Sequence, residues 1–389
     1  MPDGGDAIAI RVIDRVGEVP AGEWDACAGP DNPFLRHGFL SALEDSGSVG
    51  AEAGWLPQHL TIKDSSGRLV AAAPLYLKSH SYGEYVFDWG WAEAYERAGG
   101  RYYPKLQCAV PFTPVTGPRL LIRPDGATPE LSAALLAGMV QLAERHGASS
   151  LHITFPEQAQ WRHMIEAGML ARIGLQYFWT NRGYESFEDF LGRLTSRKRK
   201  AIKKERRKVA ESGIVLKALT GEEIEGRHWE AFYRFYLSTA DRKWGHPYLN
   251  REFFHLLGER MGQAVVLMVA EWDGKLVAGA LNLRGATALY GRNWGATARA
   301  KFLHFEACYY QAIDYAIAHG LERVEAGAQG EHKIQRGYLP EETYSAHWIA
   351  DPGLRDAVEH FLERERRAIT QEIDLLAEES PYKQESGES

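Results

Sequence analysis

The chain has 389 residues, 45% hydrophobic and 25% charged, a size that calls for two hydrophobic cores. Its formal net charge of -7 excludes a surface that binds nucleic acid or membrane as a whole, so an anionic partner must meet a local basic patch. Cys27, Cys108 and Cys308 are odd in number, far apart and free of CxxC spacing, which argues against a disulfide framework or a zinc knot and for a reducing compartment.

The opening residues lack a basic region followed by an apolar run. No apolar stretch approaches the roughly 18 residues of a membrane helix. The expectation is a cytoplasmic protein, with peripheral contact at the inner membrane still allowed. Ile8 to Val12 alternates as a strand, and Phe34 to Leu43 reads as a short helix after a Pro-Asp-Asn-Pro turn. Gln58 to Lys63 and Arg68 to Leu77 flank the turn 64–67 as strands. An aromatic stretch, Tyr82 to Trp91, precedes a strand at Lys105 to Val110 and the proline-rich loop 111–118. Pro129 to His146 is an amphipathic helix stopped by Gly147, and Ser150 to Phe155 is a buried strand.

The second half repeats this order. Ile214 to Leu219 is a strand, followed by an aromatic helix, His228 to Asp241, and a further helix, Asn250 to Arg260. Val265 to Trp272 and Leu276 to Arg284 form a hairpin around Asp273-Gly274. Ala286 to Trp294 is a strand, Phe302 to His319 a long helix ended by Gly320, and Leu321 to Glu325 and Tyr344 to Ile349 are strands. The repeated order predicts two similar domains.

Several strings then carry a resemblance. They are Tyr102-Tyr103-Pro104-Lys105-Leu106-Gln107, Pro111 to Leu121, Tyr290-Gly291-Arg292-Asn293-Trp294-Gly295, Phe305 to Gln311 and Glu325 to Lys333. Together they resemble the bacterial "peptidoglycan biosynthesis/recognition" family of tandem GNAT-type N-acyltransferases, which stands beside the Fem-type aminoacyltransferases and includes bacterial ceramide synthases. The resemblance implies an α/β (α+β) chain with two mainly antiparallel, mid-way splayed sheets. The expected domains are 1–186 and 213–352, joined by a basic helix at 187–212 and followed by a helix and polar tail at 353–389. The usual GNAT coenzyme-A loop is not cleanly present. The corresponding loops read Thr113 to Pro118 and Ala296 to Lys301, which leaves open the half that holds a pyrophosphate.

Candidate donor-binding residues follow from phosphate chemistry. Thr113, Thr116, Gly117 and Arg119 could cradle phosphate oxygens with amides and one cation, although two prolines in that loop remove donors. The alternative is a rigid loop that shapes a cleft. The basic run from Arg193 to Lys208 is the main charge anomaly, with Arg197, Arg199 and Lys203 chosen for a phosphate role against the reading of a solvated helix. The aromatic stretches Tyr82 to Trp91 and Trp229 to Trp244 read either as an acyl tunnel or as core.

Amide formation needs a neutral amine, a proton acceptor and donors for an oxyanion. His332, Glu325 and Glu306 are the candidate bases and Tyr309 or Tyr310 the candidate acid. In the alternative, Glu306 and Glu325 pair with Arg292, Lys333 or Arg336 to pin a loop. No protein base is needed in a third version. HExxH, GxSxG and GxxxxGK[ST] are all missing from the sequence, and no metal or permanently bound cofactor is expected. The function expected is transfer from acyl-CoA, as co-substrate, to a primary amine, with a sphingoid base as candidate acceptor and no DNA partner. The alternatives are a tRNA-dependent Fem-type transferase acting on a cell-wall precursor and a non-catalytic binder of cell-wall or lipid fragments.

Overall fold

The computed structural model describes residues 8–243, 247–327 and 330–383, without the side chains of 240–243. They form two compact units, 1–174 with 343–368 and 175–342 with 369–389. The chain thus divides by contact at Gly174/Leu175 and returns to unit 1 at Thr343, where the sequence reading drew its first boundary at 186/187. The basic helix falls within unit 2.

Unit 1 opens with β1 (Ile10–Ile13), α1 (Ala21–Ala28) and α2 (His37–Asp45). Next come β2 (Trp55–Pro57), β3 (His59–Lys63), β4 (Leu69–Ala73), β5 (Leu75–Lys78), α3 (Trp89–Arg97) and β6 (Lys105–Cys108). β7 (Leu121–Ile122), α4 (Pro129–Arg145), β8 (Ser150–Thr154), α5 (Gln158–Glu166) and the start of β9 (Leu170–Thr180) follow. The predicted strand 68–77 divides at Pro74, whose missing N–H cannot continue a ladder. β4 then belongs to the antiparallel sheet β1-β3-β4-β7, while β5 pairs with β2 and β6. β6 runs parallel to β8. The apolar face of α4, Leu131, Leu135, Met139 and Leu142, closes a core with Leu60, Ile62, Leu106 and Ile153. The aromatic stretch 82–91 is a loop ending in α3.

Unit 2 contains α6 (Phe187–Arg193), α7 (Ser196–Ala210), β10 (Val215–Thr220), α8 (Gly226–Lys243), α9 (Arg251–Met261), β11 (Val265–Trp272), β12 (Lys275–Arg284) and β13 (Ala288–Ala296). A helical stretch then runs as α10 (Leu303–Phe305), a π-helical turn (Glu306–Tyr310) and α11 (Gln311–Ala318), before β14 (Arg323–Glu325). The strand β15 (Leu339–Ile349) and α12 (Pro352–Glu378) each begin in one unit and end in the other. Within unit 1, β15 pairs antiparallel with β8.

The sheet of unit 2 is an antiparallel meander, β10-β11-β12-β13, with β14 added parallel to β13 and β9 antiparallel to β14. The hairpin stands where the Asp273-Gly274 turn places it. α8 crosses β13 so closely at Gly295 that any Cβ there would collide with the carbonyl of Phe235. Trp229, Phe232 and Tyr236 of α8 pack on Phe254 of α9, so the described part of this aromatic stretch is core; Trp244 lies outside the described residues.

Candidate functional site

The parallel ladder between β13 and β14 is three residues long, Ala288 to Tyr290 against Arg323 to Glu325. β13 then continues to Ala296, held on its other side by β12. Within this run the register with β12 shifts so that Leu281 faces Asn293 and Asn282 faces Gly291, which leaves Arg292 as a bulge. Beyond Tyr290, among the described residues, β13 has no ladder partner on the β14 side. Next to this run lies a cavity of about 700 Å³, lined by Trp294, Ala296, the loop 297–301 and His304. Arg299 and Lys301 supply two cations to its rim.

The π-turn sets the next layer. One extra residue per turn rotates Tyr309 toward the cavity side chains and Tyr310 away from them. His304 packs 5.4 Å from the Trp294 ring and 5.4 Å from Tyr309. The Tyr309 hydroxyl lies 3.0 Å from His332 Nε2, and the His332 ring also meets Phe305. Burial holds the Tyr309 phenol well above its ordinary value, so it stays protonated and can donate. His332 itself is exposed.

The predicted residues do not form one group. Tyr310 is buried and its hydroxyl donates to Glu205 of α7, which also accepts from Arg336 at 2.9 Å. Glu306 accepts from Gln311 at 2.8 Å and pairs with Arg206 at 3.0 Å. Glu325 stands on the last rung of the parallel ladder, opposite Tyr290, with Arg323 at 2.9 Å. Burial pushes its carboxyl up to about 7, against the pull of Arg323. The ion pairs around Glu306 and Glu325 thus use Arg206 and Arg323, which replaces the expected pairing with Lys333 or Arg336. Lys333 instead donates to the Gly327 carbonyl at 2.7 Å. Residues 328 and 329 of the Glu325 to Lys333 string lie outside the described residues.

On α7, Arg197 and Lys203 are exposed and Arg199 is half-buried; Lys203 pairs with Glu188 at 2.5 Å. The inward face, Ile202, Glu205, Arg206 and Val209, packs on the π-turn and its neighbours. α7 is therefore a strut for the Tyr309 layer with a cationic outer face.

The first-half loop, in unit 1, is spent on itself. Arg119 is fully buried, and its guanidinium donates to the carbonyls of Thr154, Gly117, Pro118 and Val115. The Gly117 N–H donates to the Phe155 carbonyl, and Thr113 Oγ1 to the Pro111 carbonyl. Thr116 Oγ1 is buried with no hydrogen-bond partner. The Arg119, Gly117 and Thr113 donors are thus engaged by carbonyls of unit 1. The sequence reading missed His304, Arg299 and Lys301 as cavity residues, although the loop 296–301 was itself singled out.

The family pattern, which matches nearly the whole chain, makes it an enzyme of the acyltransferase type. The chain belongs to the FemAB-like family, described as peptidoglycan biosynthesis/recognition, whose pattern matches residues 15–384. A comparison with curated protein sequences gives no match. Among solved structures it is similar in fold to FemX, at 12% identity and a TM-score of 0.55, over 88% of this chain and 98% of that one. The C-terminal domain of a putative lysylphosphatidylglycerol synthetase from Agrobacterium fabrum gives 10% identity and 0.55, over 88% and 95%. L-PGS from Bacillus licheniformis gives 11% and 0.50, over 83% and 95%. Among the described residues, no helix is long and apolar enough to cross a membrane.

Proposed function

We propose that the enzyme transfers an acyl group from acyl-CoA to a primary amine, and that a sphingoid base is the acceptor. The observation that carries this reading is the end of the β13–β14 ladder at Tyr290, next to a cavity rimmed by Arg299 and Lys301. A strand edge where a ladder ends suits the amide arm of a thioester donor, and the two cations suit its phosphates. In the step itself the amine nitrogen bonds to the thioester carbon, the C–S bond breaks, and sulfur leaves as thiolate. His332 takes the proton from nitrogen, and the Tyr309 hydroxyl protonates the departing sulfur. His332 then passes its proton to Tyr309 across their 3.0 Å contact, which resets the pair.

The exposed cations Arg197, Lys200 and Lys204 on α7 favour one other reading, an aminoacyl-tRNA donor and a peptidoglycan-precursor acceptor. One experiment separates the two. The protein is incubated with mixed acyl-CoAs and a panel of amines that includes sphinganine, and products are identified by mass spectrometry with thiol release followed in parallel. N-acyl product with stoichiometric thiol is expected. No product from acyl-CoA, together with ribonuclease-sensitive transfer from charged tRNA, would replace the acyl-CoA reading by the second.

A further inference from the structure

Unit 1 encloses a charged cluster that the chemistry in unit 2 does not use. In the ladder between β5 and β6, Lys78 stands opposite Lys105, so two lysines face each other at one end of a buried sheet. Both side chains are fully buried. Acids from the intervening loop hold them there. Lys105 Nζ donates to Ser81 Oγ and Glu84 Oε2, both at 2.7 Å, and to Asp88 Oδ2. Lys78 Nζ sits 3.7 Å over the Trp55 ring and donates to the Tyr82 carbonyl at 3.3 Å. Its distance to Glu84 Oε1 is 3.7 Å, beyond hydrogen-bond length.

The cluster continues through Tyr102, whose hydroxyl donates to Asp88 at 2.7 Å, to His152. His152 Nδ1 lies 2.7 Å from His347 Nδ1, a contact that needs one proton between them. Burial keeps both imidazoles neutral. With Asp88 and Ser150 beside its Nε2, His152 carries its proton there. His347 therefore donates from Nδ1 and keeps a lone pair on Nε2.

Three acceptors, Glu84 Oε1, Asp88 Oδ1 and His347 Nε2, are buried with no hydrogen-bond partner, as is one donor, the Nε1 of the Trp55 ring under Lys78. Each belongs to a residue less than a tenth exposed. Burial brings the Lys78 ammonium down and pushes the Glu84 carboxyl up, each to about 7. A donor is the missing piece. The same loop carries Tyr82, Phe87 and Trp89 at 55%, 51% and 40% exposure, with the Tyr82 ring 4.7 Å from Trp89. Large aromatics left in solvent on a loop of buried acids form an apolar surface beside a cation site.

We propose that this cluster binds an amphiphilic primary amine, its ammonium donating to Glu84 Oε1 and Asp88 Oδ1 and its hydrocarbon lying along Tyr82, Phe87 and Trp89. That the ligand is the acceptor of the reaction rests on the transferase reading; the binding does not.

The test is calorimetric titration of the full chain, without donor, with decylammonium, decanol and decyltrimethylammonium. Decylammonium binds, and the two probes without an N–H cation bind at least about tenfold more weakly, because neither supplies a charged donor to the carboxylates. Glu84→Gln and Asp88→Asn each weaken decylammonium by about tenfold or more. Phe87→Ala and Trp89→Ala, at exposed positions that leave folding intact, weaken decylammonium but not butylammonium. No heat with the wild-type chain overturns the proposal. So does equal binding of decanol, or a crystal grown with the amine that shows only water at Glu84 and Asp88. Amine binding without any turnover keeps the proposal and removes the transferase reading.

Discussion

Tyr309 and His332 hold each other by a 3.0 Å contact between hydroxyl and Nε2, one from the π-turn and one from the segment after β14. That contact places a hydroxyl and an imidazole beside His304, which lines the cavity. His332→Ala is expected to lower kcat by about 100-fold and Tyr309→Phe by about tenfold, in the range of positioned acid–base groups. Steady-state rates with donor saturating check this. A wild-type kcat across the pH range for His332→Ala would remove it as the base.

Glu325 gives a pH signature of stability. Its carboxyl ionises near 7 in the fold and near 4.5 when unfolded. Below 4.5 both states carry the proton and the shift contributes nothing. Between 4.5 and 7 the unfolded state loses its proton first, so stability falls as pH rises, and the full cost of about 3 kcal/mol is present above 7. Glu325→Gln has no such titration. Urea denaturation at pH 5 and pH 8 should show the variant gaining up to about 3 kcal/mol on the wild type between the two; parallel curves would contradict the shift.

How legible was this in the sequence? The hairpin 265–284 was, because two apolar runs frame Asp273-Gly274, and so was the helical stretch from Leu303, whose period is unmistakable. The π-turn was not, since an extra residue in a helix leaves no mark in composition, and it decides that Tyr309 and not Tyr310 meets His332. β9 escaped because its early residues, Ala171 to Leu175, are half-buried and carry Arg172 and Gly174 inside the strand, so no period shows. The acids of unit 1 could have been found. A lysine at the end of each of two buried strands, Lys78 and Lys105, demands carboxylates, and Glu84 and Asp88 lie between them.

Glu306 was a candidate base, but its geometry is that of a strut. One oxygen takes both Gln311 and Arg206. Glu306→Gln should leave kcat within about threefold while lowering stability by about 2 kcal/mol, as a charge-assisted pair becomes a neutral one. Arg206→Ala should cost about 3 kcal/mol or more, because it strands a buried carboxylate. Chemical denaturation beside kinetics reads both. A large fall in kcat for Glu306→Gln at full stability would return it to the chemistry.

Arg119 is expected to fail as a donor-binding residue in an informative way. Its guanidinium fork serves four carbonyls at once, which an ammonium on a flexible stem cannot reproduce. Arg119→Lys should lower stability by about 2–3 kcal/mol and leave the donor KM of the folded fraction unchanged. A raised KM at unchanged stability would restore the phosphate role.

The donor cations are expected on the rim of the unit 2 cavity. Arg299 and Lys301 line it and, like Arg197 on α7, are exposed. Two cations on one rim can meet the phosphates of a donor seated in that cavity. Lys301→Ala and Arg299→Ala should each raise the donor KM by about five- to twentyfold with little change in kcat, an effect that shrinks when the donor lacks phosphates. Arg197→Ala with Arg199→Ala should raise it by less than about threefold. Initial rates across donor concentrations, for full-length coenzyme thioesters and for a short thioester without phosphates, measure the difference. If the α7 double variant proves the more damaging, the phosphates lie along the basic helix.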